Sequence, residues 1–223
     1  MKLDLSKLQY VIFDWDNTLA ETRKALITVA NQVLSGYNRP SLDTYGNKYD
    51  NNLSFRDNFP NIFGEDIANE AYRRYCDLYK KQINSLLSCS PCVHETLDFF
   101  QAQGIPIIIM TNKDRNLLEY ELPLLFSKQT FFRIVAGHEA PRDKPNPEHA
   151  WFALSDLMEP KDFTPEKVWI IGDSNMDSDC ALAAGAQAVR IGKPIWDIPT
   201  SHDEKIVYFD DFCSFLNYLK KTV

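Results

Sequence analysis

The stretch Leu8-Gln-Tyr-Val-Ile-Phe-Asp14-Trp-Asp16-Asn-Thr18-Leu19 decides how the rest of the chain is to be placed. Tyr10 to Phe13 is a short run of β-branched and aromatic residues, the pattern of a buried strand. Asp14, Asp16, Asn17 and Thr18 follow, where the strand gives way to a loop. Residues two apart on an extended backbone point the same way, so Asp14 and Asp16 project toward one site at the strand's C-terminal end. Ligands bind at such strand ends in open α/β sheets. Two carboxylates at about 4 Å, in an effective dielectric of about 20, repel by roughly 4 kcal/mol. A cation, or protonation of one acid, must compensate. A turn rich in Asp and Asn would show the same residues for conformational reasons alone, so the rest of the chain has to separate the two readings.

Further apolar runs recur at Ile105–Met110, Phe131–Ala136, Val168–Ile171, Ala188–Ile191 and Ile206–Phe209, each short enough for a strand. Helical spacing separates them over Val93–Gln103, Asn146–Leu157, Asp179–Ala184 and Phe212–Leu219. Strands alternating with helices predict an α/β fold with a doubly wound parallel sheet and right-handed crossovers. Residues 20–90 break the rhythm. A helix is expected over Glu21–Leu34, then a polar stretch over Ser35–Pro60, then a second helix over Asp66–Leu87. The expected organisation is a core of residues 1–19 and 91–223, with a small, mostly helical domain of residues 20–90 inserted after the first strand and hinged near Ala20 and Ser90-Pro91.

The 223 residues are 44% hydrophobic, enough for a substantial core, and carry a net charge of −7. That charge provides no basic field for nucleic acid or an anionic membrane. No apolar run has the length of a membrane span, and no secretory leader is evident. Five cysteines, an odd number, do not suggest a disulfide scaffold, and Cys89-Ser-Pro-Cys92 lacks the second pair or His cluster of a zinc site. The two are expected to be incidental thiols, and a cytoplasmic location is the default.

Three more polar motifs stand at strand ends. Thr111-Asn112-Lys113 offers a hydroxyl and an amide that can bond an anion's oxygens, or cap a helix. Asp143-Lys144-Pro145-Asn146-Pro147 opens a helix; the prolines are ordinary helix-start chemistry, but Lys144 is a candidate counter-ion for a phosphoryl group. Gly172-Asp173-Ser-Asn-Met-Asp177 supplies two more acids, oxygen ligands of the kind Mg²⁺ prefers. Four such motifs on one rim bring together a nucleophile, donors, a cation and metal ligands.

The ordered set Asp14-x-Asp16-x-Thr18, Thr111, Lys144 and Gly172-Asp173-x-x-x-Asp177 resembles the phosphatase branch of the haloacid dehalogenase superfamily. The strings Thr-Asn-Lys and Lys-Pro-Asn-Pro-Glu look closest to its phosphoglycolate-phosphatase-like subgroup. The resemblance implies a Rossmann-like core and makes residues 20–90 a C1-type cap. It implies that Asp14 is a nucleophile forming an aspartyl-phosphate and that Asp16 is general acid and then base. Thr111 and Lys144 would bind the phosphoryl group, with Asn112 assisting. Mg²⁺ would sit on Asp14, the Asp16 carbonyl and Asp173, with Asp177 a further ligand or just behind. The implied partner is a small phosphorylated metabolite.

Two positions depart from the subgroup. Trp15 stands where aliphatic residues are common and is expected to pack against the sheet, and Cys92 stands where Gly is frequent. Lys48 and Arg56 lie in the polar stretch; of two readings, a reach to the substrate and an ordinary surface charge, the second is favoured for both. A sugar phosphomutase uses the same core and is the nearest alternative; a non-catalytic phosphate-binding or regulatory module is a second. A carbon–halogen hydrolase fits poorly, because that chemistry uses neither Mg²⁺ nor an acid at position 16. Substrate identity and oligomeric state are not encoded in any readable motif.

Overall fold

The structure is a computed structural model that describes residues 3–45, 50, 53–192 and 203–222. Six strands form one parallel sheet: β1 (Tyr10–Phe13), β2 (Ile107–Met110), β3 (Arg133–Val135), β4 (Val168–Gly172), β5 (Gln187–Ile191) and β6 (Ile206–Phe209), in the order β3-β2-β1-β4-β5-β6. Eight helices accompany them: α1 (Arg23–Gly36), α2 (Phe59–Phe63), α3 (Glu65–Gln82), α4 (Val93–Ala102), α5 (Arg115–Leu125), α6 (Glu148–Ala153), α7 (Asn175–Ala184) and α8 (Phe212–Leu219).

The central strands β1, β2 and β4 read as continuous apolar runs because both faces of the sheet are covered there. Alternate residues go to opposite sides. Val11, Phe13, Ile107, Ile109, Trp169 and Ile171 join α4, α5 and α8 in one core cluster. Ile12, Ile108, Met110, Val168 and Ile170 join α6 and α7 in another. The strand order reverses beside β1, between β2 and β4, so the C-terminal ends of β1 and β4 open onto one crevice, the place where doubly wound sheets bind ligands.

A third cluster is built within residues 25–83, from α1, α2 and α3, with Leu117 of α5 packed against it. Its Phe and Tyr rings pack edge to face and stacked, as in Phe55–Phe59 at 5.3 Å and Phe59–Phe63 at 5.1 Å. The two chain segments leading into and out of it run side by side: Ala20 bridges Cys89, and Glu21 N–H donates to the Ser88 carbonyl at 2.8 Å.

β1, β6 and α8 coincide with the predicted runs. Helix α7 starts at Asn175, four residues before the predicted Asp179, because Ser174 and Asp177 form a capping box. Helix α5 was not singled out by periodicity. It carries Pro123 within it, and Glu121 takes a core position alongside Leu117, Leu118 and Leu122. The expectation of incidental thiols is corrected at Cys92, which is disulfide-bonded to Cys213, 121 residues away; Cys89 is free. Local spacing has no reach over that separation. The bond ties the start of α4 to the start of α8, which pack against each other. No described helix is long and apolar enough to cross a membrane.

Candidate active site

Asp14 sits one residue past β1, its N–H donating to the Ile171 carbonyl of β4 at 2.8 Å. This bond fixes the first acid beside the end of the strand that delivers Asp173. Oxygens of Asp14, Asp173 and Asp177 lie within 4.8 Å of one another. Asp14 and Asp177 are buried, and Asp173 is nearly so. Burial pushes the Asp14 carboxyl up to about 7; Lys144 opposes this, and Asp177 and Asp16 add to it. Asp173 is held well above the usual carboxylate range, by burial first and then by Asp177 and Asp14. The cluster is short of positive charge, as a set of hard oxygen donors built around a divalent cation would be.

Lys144 is the cation the protein itself supplies. Its Nζ donates to Asp14 Oδ1 and Asp177 Oδ1, each at 2.6 Å. Burial disfavours its charge, but those two carboxylates outweigh it and raise its pKa, so the ammonium stays protonated. Its backbone is clamped from two sides. Asn112 donates from its amide to the Lys144 carbonyl at 2.7 Å and accepts from the Lys144 N–H at 3.1 Å. The same N–H approaches His149 Nδ1 at 3.2 Å. Asn112 lines the cavity, but its amide is spent on holding the lysine in place. Asp177 is committed on both oxygens: Oδ2 accepts from the Ser174 N–H at 3.1 Å and its hydroxyl at 2.6 Å, while Oδ1 takes Lys144. Gly172 is required by this packing, since a Cβ there would collide with the Asp177 carboxyl group. Thr111 is buried at the end of β2 and faces the same cavity.

Asp16 lies on the cavity rim with its side chain about a quarter exposed. Its Oδ1 accepts from Thr22 Oγ1 at 2.5 Å and from Lys113 Nζ at 2.6 Å. Lys113 is itself buried, its Nζ 2.9 Å from Glu121 Oε1 as an ion pair without hydrogen-bond geometry. Trp15 is fully buried and donates its indole N–H to Glu121 Oε2 at 2.5 Å, with Phe126 edge-on. Its bulk therefore packs inside the fold and does not line the cavity.

All seven predicted site residues thus lie together: Asp14, Asp16, Thr111, Asn112, Asp173 and Asp177 follow β1, β2 and β4, and Lys144 is brought in by the segment between β3 and α6. Residues that sequence reasoning left out include Glu121, which has no motif signal because a lone Glu within a helix reads as a solvated charge. His149 is another, hidden in a helix start. Arg56 is corrected from a surface charge. It is largely buried, lines the cavity, and pairs with Asp114, with Asp57 at 3.2 Å and with Asp143 at 3.7 Å. Lys48 lies outside the described residues.

A family model described as haloacid dehalogenase-like hydrolase matches residues 11–191. Phosphoglycolate phosphatase of Pseudomonas putida KT2440 is 29% identical over 203 residues, covering 83% of this chain and 72% of the relative. Pyrophosphatase PpaX of Bacillus mycoides KBAB4 is 27% identical over 192 residues, covering 83% of this chain and 84% of the relative. Among solved structures, a predicted phosphoglycolate phosphatase from Haemophilus somnus superimposes with a TM-score of 0.80 at 22% identity, over 96% of this chain and 98% of that one. CbbY of Rhodobacter sphaeroides in complex with phosphate gives 0.77 at 17% identity, over 96% and 99%.

Proposed function

The chain belongs to the haloacid dehalogenase-like hydrolases, and from that premise we propose that it is a Mg²⁺-dependent phosphatase of small phosphate monoesters. The observation that carries this reading is Asp14, held at a strand end between Lys144 and the Asp173–Asp177 pair. Asp14, Asp173 and the backbone carbonyl of Asp16 would hold the cation, with Asp177 behind them orienting Lys144. The cation would supply the positive charge that lets an anionic carboxylate approach a phosphoryl dianion.

The chain's own groups account for the rest. Thr111 donates its hydroxyl to a phosphoryl oxygen, and Lys144 neutralises both that group and Asp14. An oxygen of Asp14 forms a bond to phosphorus as the ester P–O bond breaks, giving an aspartyl-phosphate. Asp16 gives its proton to the departing alkoxide. Its Oδ1 is already occupied by Thr22 and Lys113, so Oδ2 is the oxygen that carries that proton. A water oxygen then attacks phosphorus, the acyl-phosphate bond breaks, and Asp16 takes the water's proton. Residues 20–90 act as a cap over the crevice, hinged where Ala20 and Cys89 run side by side, and limit entry to small phosphorylated metabolites.

The test is phosphate release from a panel of monoesters, with and without Mg²⁺. Release that depends on Mg²⁺ and falls about 10⁴-fold or more in Asp14→Asn is the expected result. Well-folded protein that releases nothing from any ester contradicts the reading. An isomerised ester in place of free phosphate would identify a mutase.

A further inference from the structure

The crevice continues from the phosphoryl end into a cavity of about 370 Å³ beneath residues 20–90. That lies toward the lower end of the range for sites of small organic ligands, and exceeds what a two-carbon acid needs. Its far wall is apolar: Leu26, Ile27, Leu42, Phe55, Tyr72 and Tyr75 line it. The three rings belong to one aromatic cluster, with Phe55 tilted against Tyr75 at 5.0 Å and Tyr72 stacked on Tyr75 at 6.0 Å. Leu26, Ile27 and Leu42 are only half-buried. Apolar surface turned toward an internal space is surface that a ligand can cover.

The charges point the same way. Four described cations line the cavity, and each already has carboxylate partners. Lys144 holds Asp14 and Asp177 at 2.6 Å, and Lys113 holds Asp16 at 2.6 Å and Glu121 at 2.9 Å. Arg23 lies 3.5 Å from Asp173. Arg56, the cation at the far end, is surrounded by three acids, Asp57, Asp114 and Asp143, with its Nη2 buried and not itself hydrogen-bonded. A second anionic group on a substrate would have to displace one of these carboxylates or lie beside them, whereas a neutral carbonyl or hydroxyl oxygen could accept from Nη2 without that repulsion.

We propose that the ester taken by this cavity carries a neutral, ring-bearing organic group on its single phosphoryl group, and not a second anion. The proposal rests on the phosphatase reading above, and it separates this chain from relatives whose named substrate, phosphoglycolate, is a carboxylate as well as a phosphate. The ring would lie against Phe55, Tyr72 and Tyr75, and its hydroxyl or carbonyl groups would find the Arg56–Asp114 corner.

The experiment compares kcat/KM of the full chain with Mg²⁺ on four probes: phenyl phosphate, uridine 5′-monophosphate, glycerol 3-phosphate and 2-phosphoglycolate. At least one ring-bearing ester is expected to exceed phosphoglycolate by about 100-fold and glycerol 3-phosphate by about 10-fold. Ile27→Ala should raise KM for the ring-bearing ester several-fold more than for glycerol 3-phosphate; an equal change for the two esters counts against the ring lying on this wall. Phosphoglycolate matching or exceeding both ring-bearing esters overturns the proposal and leaves the phosphatase reading intact. No release from any of the four, and from no other monoester, overturns both.

Discussion

Glu121 shows how one residue inside the fold can hold the rim of the cavity from behind. It is fully buried on α5, bonded to the Trp15 indole, and sits 2.9 Å from the Lys113 ammonium that reaches Asp16. Burial, and then Asp16, push its carboxyl up; the two acids keep Lys113 protonated despite its own burial. Removing one member of a buried charged set costs about 3–5 kcal/mol. Glu121→Ala is therefore expected to lower unfolding free energy by that order in urea, and to lower kcat more than it raises KM, because Asp16 loses its held partner. His149 makes a pH prediction. Burial and then Lys144 depress its pKa to about 3 from an ordinary 6.5. It is neutral in the fold but takes a proton in the unfolded chain below about 6.5, so the unfolded state binds more protons between about 6.5 and 3. The stability due to this group is complete above that window and is lost as pH falls through it. The slope is at most about 1.4 kcal/mol per pH unit. Urea titrations at pH 7, 6 and 5 should show a flatter decline for His149→Gln than for the wild-type protein.

At the scale of elements, the site is built on the segments that follow four strands, β1, β2, β3 and β4. The turn after β4 depends on Gly172, whose missing Cβ leaves room for the Asp177 carboxyl group. A displacement of about 1 Å in such a group costs on the order of 100-fold in rate. Gly172→Ala should lose activity on that scale while circular dichroism still reports the α/β fold; unchanged turnover would show that Asp177 does not set Lys144. These strand-and-turn units were the legible part of the sequence. A parallel strand buried on both faces announces itself as an unbroken apolar run, as Tyr10–Phe13 does, and a polar cluster directly after it marks the rim. Helix α5 was illegible for the same reason that Glu121 matters: an acid at a core position, with Pro123 close behind, breaks the apolar period. Arg56 was misjudged because burial of a charge on an irregular segment depends on contacts with Asp114 and Asp143, far off in the chain. The Cys92–Cys213 bond joins elements 121 residues apart and left no local trace.

For the whole molecule, the sheet brings to one crevice acids that lie more than 150 positions apart, and the segment 25–83 builds its own core above it. Asp14, Thr111, Lys144 and Asp173, the residues on which the resemblance rests, line one crevice. The far end has an apolar wall, and each described cation that lines the cavity is paired with a carboxylate. The central claim is that convergence on Asp14 turns that carboxylate into the group attacked onto phosphorus. The most direct measurement is to quench the enzyme in acid during turnover of a monoester with Mg²⁺ and to locate the phosphoryl group by peptide mass spectrometry. The account predicts phosphate on the peptide carrying Asp14, absent without the cation and absent in Asp14→Asn. Phosphate on another residue, or undiminished turnover by Asp14→Asn, would contradict it.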